Sequence, residues 1–384
     1  MPLRLSPEVK TVNSLYIHIP FCRRKCLYCD FYSVAYDENL ARAYTDVLCE
    51  QIKRSDGQFS TIYIGGGTPT ILGGSSWNKL LPALKSHISQ GAEFTIEANP
   101  ESLSKEILKL FSASGTNRLS LGLQSFNDKK LKDLGRIHNA ACAQEAVIMA
   151  KSAGFNNISI DLIFGIWNES PGDWKEELEK AVTLPVTHIS CYGLTYEKGT
   201  PLFEMKEKGA IAPLEDEGAA RMYEYAQDFL EKKGFVRYEV SNFAKEGFFC
   251  KHNLNYWENN PYLGLGASAV SYIDGVRKEN IPDAKEYIGR VKAGKDLTVF
   301  QEELSSVDRA KETAAVKIRT REGIYFDWFR RKTGLDFCEL ESAALARLTD
   351  TGLISYNMLD FKPAGVSLTS KGFLFSDTVC GAFL

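Results

Sequence analysis

No apolar run in this 384-residue sequence approaches the roughly 20 residues that a membrane-spanning helix needs. The first eight residues, Met-Pro-Leu-Arg-Leu-Ser-Pro-Glu, hold no apolar h-region, so no secretory signal is expected there. The two signs of charge nearly balance. The formal net charge of −3 gives no general attraction to nucleic acid or to an anionic membrane. Nine cysteines, an odd number spread over a long chain, do not read as a secreted disulfide framework. These absences point to a cytoplasmic chain with reduced thiols and leave only peripheral membrane contact open. With 25% charged and 44% hydrophobic residues the composition is globular, and the length suits one large barrel-type domain plus a smaller one.

Against that background one stretch stands out: Tyr16-Ile-His-Ile-Pro-Phe-Cys-Arg-Arg-Lys-Cys-Leu-Tyr-Cys-Asp-Phe31. Cys22, Cys26 and Cys29 stand at C-x3-C-x2-C spacing just after the apolar, strand-like Leu15–Ile19. Thiolates so close together on a loop suggest a soft-metal site. A structural zinc wants a fourth ligand, and no matching C-x2-C pair follows nearby. Three readings stay open at this point: reduced surface thiols, a zinc completed by His18 or Asp30, or a cubane iron–sulfur cluster with one iron left free for a small molecule.

From residue 15 to about 235 the pattern alternates short β-rich runs with longer amphipathic segments. Strands are expected at Leu15–Ile19, Thr61–Ile64, Phe94–Ala98, Arg118–Leu123, Asn157–Ile163 and His188–Leu194. Helices are expected near 39–55, 76–89, 104–114, 128–153, 171–183 and 215–233. Six strand–helix units in regular alternation predict an α/β fold with a parallel sheet, an open (β/α)6 partial barrel. In such folds the loops after the strands carry the chemistry. The expected organisation is a barrel over 1–240, a connecting segment over 241–300 and a C-terminal domain over 301–384.

The singular residues fall in those loops. Gly65-Gly66-Gly67-Thr68-Pro69-Thr70 follows the second strand, but without Gly-Lys-Ser/Thr it is no phosphate-cradling loop. Glu97 closes the third strand among apolar neighbours, where it is either a cap or salt-bridge residue or a hydrogen-bond acceptor for a ligand. Gln124 is polar where an inward strand residue would usually be apolar. Arg136, expected on the next helix, is either a solvated charge or a bidentate carboxylate clamp. Asp161, inside the apolar run Ile158–Ile163, must be paired or bound. His138 and His188 read as structural or surface histidines.

Further on, Cys250-Lys-His252-Asn253-Leu254-Asn255-Tyr256-Trp257 gathers a cysteine, a histidine and two aromatics within eight residues. In a helix His252 and Tyr256 share a face. The segment is either a capped helix with packed aromatics or an axial iron ligand with aromatic walls for a macrocycle. Gly264 to Ala269 reads as a small-residue loop, and 281–298 as helix plus connector. Helices at 306–320, 325–332 and 338–351, then short runs at 354–359 and 366–368, make a mainly helical, winged-helix-like layout. Residues 336–384 carry Arg347, Lys362 and Lys371 against six acidic residues, the wrong balance for a DNA-binding wing.

Taken together, the cysteine loop, the Gly-Gly-Gly-Thr-Pro-Thr loop, Glu97, Gln124, Arg136 and Asp161 resemble, in order and context, the HemN/HemW branch of the radical S-adenosylmethionine (SAM) superfamily. That branch contains oxygen-independent coproporphyrinogen III oxidases and haem chaperones. The resemblance implies a 4Fe–4S cluster on Cys22, Cys26 and Cys29. It implies SAM against Tyr16, Tyr28, Gly66, Gly67, Thr68, Glu97, Gln124, Arg136 and Asp161, with Thr195 and Val270 at further SAM-contacting positions. His252-Asn253-x-x-Tyr256-Trp257 is similar to the haem-binding motif of the chaperones. Asp30-Phe31 follows Cys29 where the oxidases usually carry another cysteine, and only fifteen residues precede Tyr16 where they have a long extension. All three features favour the chaperone side, with haem, SAM and client respiratory haemoproteins as partners. One departure is Trp167, which stands where the family generally has Pro and is expected near the SAM edge.

Overall fold

The computed structural model describes residues 12–384; the N-terminal stretch read above for a signal sequence lies outside the described residues. Six parallel strands form its centre: β1 (Ser14–Ile19), β2 (Phe59–Gly66), β3 (Ile88–Ala98), β4 (Arg118–Gln124), β5 (Asn157–Phe164) and β6 (His188–Gly193). Between and after them run α1 (Glu38–Arg54), α2 (Gly74–Leu84), α3 (Lys105–Ala113), α4 (Asp128–Asp133), α5 (Ala140–Ser152), α6 (Pro171–Thr183), α7 (Pro201–Glu207) and α8 (Asp216–Lys232). Then come β7 (Val236–Arg237), β8 (Asn242–Ala244), α9 (Lys251–Trp257) and β9 (Leu263–Leu265). The sheet has nine strands in the order β9-β1-β2-β3-β4-β5-β6-β8-β7. The α/β parallel architecture is therefore as expected, and β9 joins it by pairing parallel with β1, Leu15 opposite Leu263.

Each barrel strand alternates. Leu15, Ile17, Ile62, Ile64, Phe94, Ile96, Leu119, Leu121, Ile158, Ile160 and Ile189 face the helices and are buried in the main apolar core. The opposite face is polar: Ser14, Tyr16 and His18 on β1, Thr61 and Tyr63 on β2, Glu93, Thr95 and Glu97 on β3, Arg118 and Ser120 on β4, Ser159 and Asp161 on β5, His188 and Ser190 on β6. Hydrogen bonds such as Ser159–His188 (2.7 Å) and Tyr63–Glu97 (2.7 Å) join these residues between neighbouring strands on the lumen face. The usual lumen of a parallel barrel is packed with branched apolar side chains. This one is mostly polar, with Ile163 an apolar residue on the same face of β5, so Gln124 and Asp161 are not exceptions to an apolar interior.

The single helix expected over 128–153 is broken into α4 and α5. Gly135, at φ +78°, makes the break, and a Cβ there would stand 2.9 Å from Leu27 Cγ. Arg136 thus lies in a turn and not on a helix. Three further differences follow the barrel. Gly264 and Leu265, expected in a loop, belong to β9. An antiparallel sheet forms from Val270–Ile273, Val276–Asn280 and Thr298–Glu303. The C-terminal part has the expected helices and hairpin, Ile354–Leu359 with Lys362–Leu368, closed by Ile324–Tyr325 and two unexpected short helices, Ser370–Leu374 and Ser376–Ala382.

Candidate functional site

At the C-terminal ends of the strands lies a cavity of ≈ 520 Å³, within the roughly 300–1,000 Å³ range of small-molecule sites. Its lining includes Cys22, Cys26, Tyr28, Cys29, Gly66, Gly67, Thr68, Glu97, Gln124, Arg136, Asp161 and Thr195. Residues more than 170 positions apart in sequence thus converge on one wall. Tyr16 and Val270 are not among the lining residues. Tyr16 stands one layer below, bonded to His18 Nδ1 at 2.9 Å, and Val270 sits on the separate antiparallel sheet.

The cysteine loop is tied down on several sides. Phe21–Cys22 pairs with Val34–Ala35, Leu27 N–H donates to Leu134 O (3.1 Å), and Leu202 N–H donates to Leu27 O (2.9 Å). The glycine loop lies against its start, with Gly67 N–H on Ile19 O (2.9 Å) and Thr68 N–H on Phe21 O (2.8 Å). A Cβ on Gly67 would come within 2.7 Å of Phe21 O, and one on Gly66, at φ +106°, within 2.5 Å of the His18 ring. These glycines are steric necessities of the cradle.

All three thiols are part-buried. Burial raises the Cys22 thiol pKa and pushes Cys29 up to about 11. Such thiols need positive charge or metal to become thiolates. Two donors already point at them: Thr68 Oγ1 to Cys22 Sγ (3.6 Å) and Arg136 Nη1 to Cys26 Sγ (3.4 Å). Arg136 also donates through Nη2 to Asn99 Oδ1 (2.8 Å) and Gly122 O (2.7 Å), while its buried Nε has no partner. His18, one candidate fourth zinc ligand, has both ring nitrogens engaged, with the Tyr16 hydroxyl and Tyr32 O (2.9 Å). Asp30 is exposed at the cavity rim. Among the described residues no three His, Cys, Asp or Glu side chains are grouped to hold a single metal ion.

Glu97 accepts from Tyr63 Oη (2.7 Å) and Gly66 N–H (3.1 Å), and its desolvated carboxyl is pushed up to about 7. Asp161 is likewise raised by burial, against the Ser190 and Ser120 hydroxyls and the Arg118 and Arg136 charges that favour its ionised form. Gln124 holds φ +67°, a strained value for a side-chain-bearing residue, at the point where β4 enters the cavity. The Ser125-Phe126 backbone beyond it is anchored on buried Glu177, which accepts from Ser125 Oγ and from Phe126 N–H (2.6 Å). Trp167 is outside the lining and packs against the small apolar cluster of Leu134, Ile163 and Ile166. Asn99 looks ordinary in sequence. It donates to Thr68 Oγ1 (2.9 Å) and accepts from Arg136, and its only signal was a polar residue just after a strand end.

The His252 motif is not in the cavity. On α9 it sits under the barrel, where His252 Nδ1 bonds Thr61 Oγ1 (2.8 Å) and Nε2 bonds the Tyr256 hydroxyl (3.0 Å). Thr61 lies five residues before Gly66 on β2, roughly 16 Å along the strand. Glu93 caps α9 by accepting from Lys251 N–H and His252 N–H, both at 3.0 Å. Because Thr61 donates to Ser14 Oγ (2.8 Å), it accepts from His252 Nδ1–H, and Nε2 is left as the acceptor. Burial lowers the His252 pKa to about 3, so the ring is neutral at pH 7. Asn253 and Trp257 are part-buried; Trp257 packs against the Arg319 guanidinium.

Residues 16–181 match the Radical SAM superfamily. Over 375 residues the chain is 35% identical to a heme chaperone HemW of Lactococcus lactis subsp. lactis (strain IL1403), covering 97% of both proteins. The chain belongs to the HemW family of radical SAM proteins. A second relative, HemW of Bacillus subtilis (strain 168), is 35% identical over 381 residues, covering 97% of this chain and 99% of that one. The fold is shared with coproporphyrinogen III oxidase (HemN) from Escherichia coli, at a TM-score of 0.83 and 22% identity over 97% of this chain and 90% of that one. Radical SAM membership implies a 4Fe–4S cluster and SAM. The site of this HemW-family chain fits both: a cationic guanidinium aimed at sulfur, an orphaned buried Arg136 Nε awaiting an acceptor, and a glycine cradle with no room for side chains. No helix among the described residues is long and apolar enough to cross a membrane.

Proposed function

We propose that the chain is a cytoplasmic radical SAM haem chaperone that holds haem and passes it to respiratory haemoproteins. The observation that carries this reading is the cavity, which unites the three cysteines with the glycine loop, Glu97 and Arg136, in a chain whose full-length relatives are named heme chaperones.

In this reading Cys22, Cys26 and Cys29 hold the cluster, and Tyr28, Gly66, Gly67, Thr68, Gln124 and Thr195 surround SAM, with Tyr16 supporting from below. Bound together, the cluster and SAM supply one-electron chemistry that side chains cannot. The Arg136 fork offsets negative charge on sulfur and offers Nε to a carboxylate. Glu97 and Asp161 accept from hydroxyls, and Glu97, poised near 7, changes charge across neutral pH. Val270 is retained only as an outlying SAM position.

His252, Asn253, Tyr256 and Trp257 are the proposed haem contacts. The neutral His252 ring presents Nε2 as the ligating atom, the form metals require. Tyr256 now caps that lone pair, so haem must displace the Tyr256 hydroxyl.

The second reading is an oxygen-independent coproporphyrinogen III oxidase, favoured by the fold shared with HemN. Anaerobic incubation with reductant, SAM and coproporphyrinogen III separates the two. The chaperone reading expects no protoporphyrinogen IX and haem transfer to an apo-haemoprotein; turnover would overturn it.

A further inference from the structure

Tyr63 lies between the cavity and the His252 helix and touches both. Its hydroxyl donates to Glu97 Oε1 (2.7 Å) while the Gly66 N–H holds Oε2 (3.1 Å), so both carboxylate oxygens are aimed from below. The seat is tight: a Cβ on Gly65 would stand 2.7 Å from the Glu97 carboxyl. The face of the Tyr63 ring stacks on His252, with centroids 5.1 Å apart and planes at 25°. A tyrosine placed only to fill the lumen would need one partner for its hydroxyl. This one finds that partner in a cavity residue and carries the motif histidine on its ring.

We propose that Tyr63 is a positioning residue with two faces, its hydroxyl orienting Glu97 toward SAM and its ring seating His252 for haem. The inference rests on the proposed function in taking the cavity as the SAM site and α9 as the haem motif. The groups facing Glu97 are Tyr16 on β1, Tyr63 on β2, Arg118 on β4, Asp161 on β5 and Tyr256 on α9. Of these, Tyr63 is the one that donates a side-chain hydrogen bond to it. Such a bond favours the carboxylate, so its removal raises the pH at which Glu97 ionises.

The test uses the full chain, reconstituted anaerobically, as wild type, Tyr63→Phe and Tyr63→Leu. SAM affinity is measured from pH 6 to 9, and haem affinity and Soret spectra at pH 8. Wild-type SAM affinity should rise through pH 7. In Tyr63→Phe the rise should move up by about one pH unit, leaving SAM about fivefold weaker at pH 7 and equal at pH 9. Its haem spectrum should match wild type because the ring stack is kept. Tyr63→Leu should shift the SAM profile equally and weaken haem severalfold. Difference infrared titration of the Glu97 carboxyl, assigned with Glu97→Gln in SAM-free protein, reads the same hydroxyl without ligand. A Tyr63→Phe protein whose infrared titration and SAM profile both superimpose on wild type overturns the proposal, as does a loss of SAM affinity uniform in pH. A wild type that binds neither SAM nor haem defeats the proposed function instead, and the infrared titration still decides the role of the Tyr63 hydroxyl.

Discussion

Arg136 and Cys26, 110 residues apart in sequence, meet across 3.4 Å with the guanidinium Nη1 donating to sulfur. The contact depends on the turn between α4 and α5, where Gly135 at φ +78° lets Leu27 of the cysteine loop pack against the backbone. Through one side chain the turn joins the thiol wall to Asn99 and Gly122 on the facing strand ends.

Replacing that fork by a point charge tests it. Arg136→Lys keeps the charge but cannot reach sulfur, Asn99 and Gly122 O together. SAM should bind about 10–100-fold more weakly, the worth of one or two lost charge-assisted bonds. Titrating SAM against the EPR spectrum of the reduced protein measures this.

Gly66→Ala should damage the cradle and the fold together. The residue holds φ +106°, and a methyl group would press on the His18 ring. The cost should be about 1–3 kcal/mol in a denaturant titration. His18→Ala would relieve the clash but not the backbone strain, so the double variant should recover only part of it.

The proposed haem contacts yield a pair of opposite outcomes. His252→Ala should abolish the axial-ligand signature in the Soret and EPR spectra of added haem. Tyr256→Phe uncaps Nε2 and should tighten haem about 2–10-fold, the value of one hydrogen bond no longer broken on binding. Weaker haem binding in Tyr256→Phe would mean that the hydroxyl contacts haem itself.

Glu239, which is not among the cavity-lining residues, provides a further pH test. It is buried, its Oε1 has no partner, and burial pushes its carboxyl up to about 7. The folded chain therefore holds this proton longer than the unfolded chain does. Its contribution to stability is complete below pH 4.5 and is lost as pH rises through about 7. Glu239→Gln mimics the neutral form. It should be more stable than wild type at pH 8, on the order of 2–3 kcal/mol, and indistinguishable at pH 4.

Much of this architecture was legible in the sequence because strand runs and amphipathic helices alternate at a period that local patterning reveals. Cys22, Cys26, Cys29, Gly66, Glu97 and Arg136 were legible for another reason: their residue types are improbable where they stand. Tyr63 and Glu93 were missed because each looks ordinary alone. The signal that would have found them is the polar alternate position in every barrel strand, from Ser14-Leu-Tyr-Ile-His to His188-Ile-Ser. The three-residue strand β9 contains a glycine and owes its existence to pairing with β1, which no local pattern encodes. Gly135 lay inside an otherwise helical stretch, and only its packing against Leu27 shows that the helix must break there.

The proposed function requires that three sulfur ligands leave one coordination position for SAM. Anaerobic reconstitution followed by metal and sulfide analysis, with EPR of the reduced protein before and after SAM, tests it most directly. About four iron and four sulfide per chain are expected, lost in Cys26→Ala, together with an EPR spectrum that changes when SAM is added. Bound zinc without sulfide, or a cluster spectrum indifferent to SAM, would contradict it.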